Sequence, residues 1–211
     1  MTVGLRMLPR MLDAEDIRSM REQIVVAAWG GFEDEDEVEE WVEAELGADD
    51  VALGIALKAY IAREFREHGR REAAWREATT NDAIDRAFDE LGHRGVIALQ
   101  NAGSTLSDGW SDVHETASGL PTPARGAVFY HGQDLESGVA GGGLMLAFGA
   151  FEEDPVKRDA AGVAIAREVC EVLAAHGVRV KWDGDARSRI EVRPFPWRKR
   201  RWTEAPPVST S

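Results

Sequence analysis

The sequence predicts an α/β or α+β protein with a mixed five-stranded sheet that is flanked by helices and preceded by a helical region. Three observations favour this class. Apolar residues recur at helical spacing through the first 80 residues, and short apolar runs of strand length alternate with helical segments after them. Strands separated by helices need crossover connections, so part of the sheet is expected to be parallel. A chain of 211 residues can also bury a full core without disulfide bonds.

Three amphipathic helices are predicted in residues 1–80, which form an acidic N-terminal region. The first begins at Asp13, because an acid at the cap position and another acid three residues later are typical of a helix start, and it ends at Gly30-Gly31. The second helix lies within an acidic run and ends at Gly47. The third begins at Asp49-Asp50.

The predicted core domain spans residues 81–197 and begins where Thr79 and Asp82 supply a new helix cap. Gly141 to Gly143 precede a strand, whereas phosphate-binding glycines lie between a strand and a helix, so we predict a turn there. The last two predicted strands are close enough in sequence to form a hairpin. The expected helices are 83–91, 110–117, 134–140 and 155–176, and the expected strands are 96–99, 127–131, 144–148, 178–182 and 189–193.

Residues 198–211 are predicted to form a basic segment that continues into a flexible C-terminal tail. Four of the eight prolines lie in residues 194–211, so regular secondary structure is not expected at this end of the chain. The part before the tail contains Trp197 and is expected to be an ordered strap.

The formal net charge of -13 is distributed unevenly. Residues 33–50 contain eleven acids and no base, whereas residues 187–202 contain seven bases and one acid. One interpretation is that each run is a solvated face. The other is that the two runs attract each other, within the chain or across a homodimer. The overall negative charge repels nucleic acid, so a nucleic-acid partner is not expected except through the basic segment.

The chain is expected to be a soluble cytoplasmic protein. It contains no run of about 18 uninterrupted apolar residues, the length that a membrane span needs, and its start lacks the pattern of a signal peptide. The single cysteine, Cys170, excludes an internal disulfide framework and a multi-cysteine zinc site. Because Cys170 lies close to the apolar face of a predicted helix, we expect a structural thiol.

Three long phrases of the core carry a resemblance to a known family. They are GVIALQNAGSTLSDGWSDV at residues 95–113, RGAVFYHGQDLE at residues 125–136 and VAGGGLMLAFGA at residues 139–150. This block resembles an uncharacterised bacterial family, a domain of unknown function, over about residues 81–197. The resemblance implies the boundaries of a domain and no known activity.

Two predicted strands end in clusters of polar residues, which mark the most plausible place for a ligand site. If these strands are parallel neighbours, both clusters open at the same edge of the sheet, where ligands of α/β proteins bind. The candidate ligand-binding residues after the first strand are Gln100, Asn101, Ser104, Ser107, Asp108, Trp110 and Asp112, and those after the second are His131, Gln133, Asp134 and Glu136.

These residues also have structural explanations. Asp134 or Ser107 can cap the helix that follows, and Asn101 suits a turn. A metal site formed by His131, Asp134 and Asp112 has no recognised spacing, so neither a metal nor a cofactor is expected. The serines lack the Gly-x-Ser-x-Gly pattern of an esterase, and no catalytic residue is assigned.

The sequence is consistent with three alternative functions. The first is a binding or regulatory protein, for instance an immunity-like inhibitor that presents residues 33–50 to a basic partner. The second is a small-molecule-binding domain or an enzyme with its site near Asn101, Asp108 and His131. The third is contact with nucleic acid through the aromatic and basic residues 197–202.

Overall fold

The computed structural model of the chain describes residues 12–46 and 50–201. Within these residues it contains seven helices and a mixed five-stranded sheet, which confirms the predicted α/β class. The elements in chain order are α1 (Ala14–Gly30), α2 (Glu35–Leu46), α3 (Val51–Ala73), α4 (Thr80–His93), β1 (Val96–Leu99), α5 (Leu106–Gly119), β2 (Gly126–Phe129), α6 (Gly132–Val139), β3 (Leu144–Ala150), α7 (Pro155–Ala175), β4 (Val180–Lys181) and β5 (Ile190–Val192).

The chain divides into two compact units. Of the described residues, 12–46 and 50–74 together with Arg201 form one unit, which we call the helical unit. Residues Trp75–Arg200 form the other, which we call the core unit. The C-terminal segment therefore supplies residues to both units.

The helical unit consists of α1, α2 and α3, and each helix buries one apolar face. Asp13 caps α1 by accepting hydrogen bonds from the backbone of Glu15 and Asp16, as the spacing of its acids predicted. Asp50 caps α3, whereas the predicted helix end at Gly47 and the start at Asp49 lie outside the described residues. The buried core is shared by all three helices and consists of Met20, Ile24, Ala27, Ala28, Val38, Val42, Leu57, Ile61 and Phe65.

The sheet of the core unit has the order β1-β2-β3-β5-β4. Strands β1 and β2 are parallel, and every other neighbouring pair is antiparallel. The predicted hairpin of the last two strands is therefore present. Gly141 and Gly143 both have positive φ, of 85° and 91°, so the glycines before β3 form a turn, as predicted.

Helices cover both faces of this sheet. Val113 of α5 packs in one cluster with Ile97, Ala127 and Phe129 of β1 and β2. On β2 the neighbouring Gly126 faces α7, and successive residues of a strand point to opposite faces. Helices α5 and α7 therefore lie on opposite faces, and α4 packs against both β1 and α7.

Three helices begin earlier than the periodicity of apolar residues predicted, although the start of α4 at Thr80 agrees with the cap predicted at Thr79. Helix α5 starts at Leu106 rather than at 110, because Thr105 and Asp108 form a capping box. Helix α6 starts at Gly132 rather than at 134, with His131 at its N-cap. Strands β4 and β5 are shorter than predicted, with two and three residues.

The segment after β5 is packed on the core unit as far as Arg200. Phe195 is buried, and the ring of Trp197 lies edge to face with the rings of Phe195 and Tyr130. Lys199, which belongs to the predicted basic segment, is only 2 % exposed. The predicted flexible tail from residue 202 onward lies outside the described residues.

Candidate binding site at the strand ends

The carboxyl ends of β1 and β2 meet at one edge of the sheet, because the two strands are parallel neighbours. The loops that follow are joined by backbone hydrogen bonds from Ala102 to Tyr130 and from Gly132 to Gly103, both of 2.9 Å. Asn101 and Gly103 have positive φ, of 51° and 56°. The polar clusters therefore start side by side, but their side chains separate into three groups.

The first group is a partly buried network on the side of α4, in which Tyr130 and Lys199 are buried and Gln100 and Asp85 are half-buried. The amide of Gln100 donates to Asp85 at 2.8 Å, and its oxygen accepts from the hydroxyl of Tyr130 at 3.0 Å and from the ammonium of Lys199 at 3.1 Å. Lys199 also contacts Asp85 at 2.7 Å. We call these four residues the Lys199 network. It uses the amide oxygen of Gln100 twice and its amide nitrogen once, and only Gln100 was identified from the sequence.

The Lys199 network holds the strand end and the C-terminal segment together. Burial raises the pKa of Tyr130 well above its ordinary value of 10.0, and the nearby charge of Asp85 raises it further. Tyr130 is therefore a neutral donor at physiological pH. Nothing in the sequence indicated that Lys199, which lies 99 positions after Gln100, would be buried against it.

The second group surrounds Asp134, which is buried at the start of α6. Its carboxylate accepts a hydrogen bond from the backbone of His131 at 3.2 Å and lies 3.2 Å from Nε2 of the same residue. Arg189 donates to this carboxylate and also to the carbonyl of Met145, at 2.8 Å. Asp134 thus makes a capping contact at the start of α6. Helix capping was one of the two roles that the sequence predicted for it, and ligand binding was the other.

The third group lines a cavity of about 310 Å³ between the end of β1 and α5. The side chains of Asn101, Asp112, Glu115 and Thr116 carry no hydrogen bond or ion pair within residues 12–46 and 50–201. Ligand pockets in proteins span about 300–1,000 Å³, so this cavity suits a small ligand. Its lining residues are Leu99, Gln100, Asn101, Ala102, Asp112, Glu115 and Thr116.

The other candidates lie away from this cavity. The Asp108 carboxylate accepts from the backbone and the hydroxyl of Thr105, at 3.1 and 2.9 Å, and so caps α5. Trp110 packs edge to face on Phe129 with ring centroids 5.1 Å apart. The remaining four candidates are exposed, and they are Ser104, Ser107, Gln133 and Glu136.

The structure therefore brings three of the eleven candidates, Gln100, Asn101 and Asp112, to one cavity and adds Glu115 and Thr116 to them. These two residues follow Asp112 by three and four positions, the spacing of one helix face. Helical spacing could have identified them. Within the described part of the chain, no group of three or more His, Cys, Asp or Glu residues is placed to hold a metal ion.

The basic segment makes internal contacts. Of its four consecutive basic residues, Arg198 is exposed, Lys199 is buried in its network, and Arg200 contacts Asp82 at 3.3 Å and the carbonyl of Trp75 at 3.0 Å. Within the helical unit, Arg201 donates to the carbonyl of Glu33 at 2.8 Å. This contact is to the backbone of the acidic run, so attraction between the side chains of the two runs stays a prediction.

Comparison with known proteins gives a family without an assigned activity. A family model described as a domain of unknown function (DUF6891) matches residues 13–201, and the chain belongs to this family. The match includes the three N-terminal helices as well as the core. Neither a curated protein nor a solved structure matches the chain significantly. Among the helices described here, none has the length and apolar character needed to cross a bilayer.

Proposed function

We propose that this member of the DUF6891 family is a binding protein whose helical unit holds a basic, partly apolar segment of a partner protein. One observation carries the proposal: an exposed acidic stripe on α2 borders two exposed apolar side chains on α3. Because both helices belong to the same compact unit, the two features form one surface. We call it the α2–α3 surface.

The acidic stripe consists of Asp36, Glu40 and Glu43, all of which are exposed. Their spacing of four and three residues places them on one side of α2. Val38 and Val42 are fully buried on the side that faces the core of the unit. Asp36 and Glu40 are therefore free to interact with a partner while the helix keeps its packing, whereas Glu43 also contacts Lys58 of α3.

The apolar part of the surface consists of Val51 and Ile55, which are 70 % and 67 % exposed. They share one stripe of α3 with Lys58, because the three residues are spaced by four and three positions. Lys58 contacts Glu39 and Glu43 of α2 at 3.3 and 2.5 Å. The apolar pair thus lies beside the acidic stripe.

This arrangement suits a partner segment that presents lysine or arginine next to apolar side chains. Complementary charge accelerates the encounter and favours partners of opposite sign, whereas burial of the apolar side chains supplies affinity. An immunity-like inhibitor, which covers a basic site of another protein, is one function of this kind. The unpaired Cys170 fits a reducing compartment such as the cytoplasm.

The test is affinity capture from a lysate of the source cells, followed by measurement of Kd for the purified partner at 50 and 300 mM salt. A charge variant that combines Asp36→Asn, Glu40→Gln and Glu43→Gln should weaken binding about tenfold or more at the lower salt and reduce its salt dependence. Ile55→Ser should weaken binding at both salt concentrations.

The matched control for this test is Glu136→Gln, which removes an exposed carboxylate from α6 in the core unit and should leave Kd unchanged. The proposal is wrong if no partner is captured, or if the captured partner binds the charge variant and Ile55→Ser as tightly as the unaltered chain. Sedimentation of the protein alone separates a second copy of this chain from a different partner.

A further inference from the structure

We infer that the cavity between the end of β1 and α5 binds a small organic cation, an ammonium or guanidinium group on a short carbon skeleton. The cavity lies wholly in the core unit, so this inference is independent of the α2–α3 surface. Its support comes from the volume of the cavity, from its mixed lining and from half-buried or exposed polar side chains that have no partner within the described residues.

The lining combines an apolar part with neutral polar groups and acids. Leu99 and Ala102 supply the apolar surface that a carbon skeleton can contact. Asn101 adds an amide and Thr116 adds a hydroxyl, which both offer oxygen acceptors. No lysine, arginine or histidine lines the cavity.

The sign of the ligand's charge follows from Asp112 and Glu115. They are three residues apart on α5, and neither carboxylate has a hydrogen bond or an ion pair within the part of the chain that the structure describes. Like charges at this spacing repel each other on a helix. A cation between the two carboxylates relieves this repulsion.

The lining favours an organic cation over a metal ion. Ca²⁺ takes six to eight oxygen ligands, and Mg²⁺ needs a near-octahedral set, whereas this cavity offers two carboxylates beside an apolar surface. The described residues contain no cluster of three or more metal-binding side chains. Guanidinium and ammonium groups pair with carboxylates while their carbon chains pack on apolar atoms.

The cavity wall is held in place before a ligand arrives. Gln100 is fixed by the Lys199 network on the opposite side of the strand end. Ala102, two residues later, is tied to Tyr130 by a backbone hydrogen bond of 2.9 Å. A fixed wall reduces the entropy that binding costs. The Lys199 network thus acts as a support for the cavity.

The experiment uses n-butylguanidinium as the probe, with n-butylurea as a control of nearly the same shape and no charge. Amide chemical shifts of the full chain are recorded by NMR during each titration. The probe should bind with a Kd of about 1 mM or below and shift the amides of residues 99–102 and 112–116. Butylurea should bind at least about tenfold more weakly.

Variants separate the cavity from the rest of the acidic surface. Asp112→Asn and Glu115→Gln keep side-chain shape and should each weaken probe binding about fivefold. Glu136→Gln and the charge variant of α2 should bind the probe like the unaltered chain. Equal binding of butylurea, no saturable shift, or no effect of the two cavity variants overturns the inference. The same shifts produced by Ca²⁺ alone at lower concentration would also overturn it, in favour of a metal site.

Discussion

At the scale of single residues, burial determines what the polar side chains at the strand ends do. Gln100 and Asn101 are consecutive and both line the cavity, but the amide of Gln100 is also bonded within the Lys199 network. Asn101 has positive φ, and its side chain makes no hydrogen bond within the described residues. The sequence identified both as candidates and could not separate them, since it does not show which of them has a partner elsewhere in the chain.

Tyr130 gives a prediction about pH. Because the pKa of Tyr130 is raised in the folded state, the unfolded chain loses its phenolic proton first as pH rises above about 10. The folded state then holds more protons than the unfolded state, so the stabilising contribution is present below pH 10 and is lost above it. Tyr130→Phe removes this dependence together with one hydrogen bond, which is worth about 1 kcal/mol.

Urea unfolding of both proteins at several pH values measures the effect. At pH 8 the unaltered chain should be more stable than Tyr130→Phe by about 1 kcal/mol. Between about pH 10 and pH 11 this difference should shrink or reverse, since one pKa unit corresponds to about 1.4 kcal/mol. A difference that stays constant over the whole range would show that Tyr130 titrates as it does in the unfolded chain.

At the scale of secondary-structure elements, the side chains that cap helices predicted the helix starts better than the periodicity of apolar residues did. The capping boxes at Asp13 and Thr79 placed the starts of α1 and α4, since their hydrogen bonds lie within one turn of sequence. Helix α5 starts four residues earlier than predicted, because Thr105 and Asp108 form a capping box, whereas the sequence analysis interpreted Asp108 as a candidate ligand-binding residue.

Close packing of α5 on the sheet predicts opposite effects for two glycine substitutions. A methyl group on Gly109 would lie 2.8 Å from the carbonyl oxygen of Ala102 and would overlap the ring of Phe129. Gly162 in α7 has no atom within 4 Å of the position of such a group. Gly109→Ala should therefore destabilise the protein by about 1–3 kcal/mol, and Gly162→Ala should stabilise it by about 0.5–1 kcal/mol.

Thermal or urea unfolding of the two alanine variants tests this packing. Both replacements raise helix propensity by the same amount, so each serves as the control for the other. Stabilisation by Gly109→Ala would mean that α5 lies farther from β2 than described here.

At the scale of the whole molecule, the C-terminal segment contributes cations to two units. Lys199 enters the core unit, whereas Arg201 belongs to the helical unit, where it donates to the carbonyls of Ala28 and Glu33 and its guanidinium lies 3.9 Å from the ring centroid of Phe65. Burial lowers the pKa of Arg201, and the nearby carboxylates of Glu72, Glu35 and Asp34 oppose that shift. The two cations thus stabilise different parts of the chain.

Hydrogen exchange can separate these contributions. Lys199→Met should lower the opening free energy of amides in α4 and β1 by about 1.5–3 kcal/mol, and Arg201→Met should do so in α1 and α3, since bonds to charged groups are worth that much. Arg198→Met replaces an exposed neighbour and should change neither region by more than about 0.5 kcal/mol. If either variant lowered the opening free energy equally in α4 and β1 and in α1 and α3, Lys199 and Arg201 would not stabilise separate parts of the chain.

The sequence by itself determined the class of fold and the caps of α1 and α4, because these depend on spacing and on contacts within a few residues. It predicted some parallel pairing and left the strand order open, and the structure places β1 parallel beside β2. Only the tertiary structure decided the partners of the strand-end residues. Lys199 reaches Gln100 and Arg189 reaches Asp134 from 99 and 55 positions away, so no local pattern encodes either pair. The cavity that leaves Asp112 and Glu115 unpaired likewise exists only once α5 has packed against the end of β1.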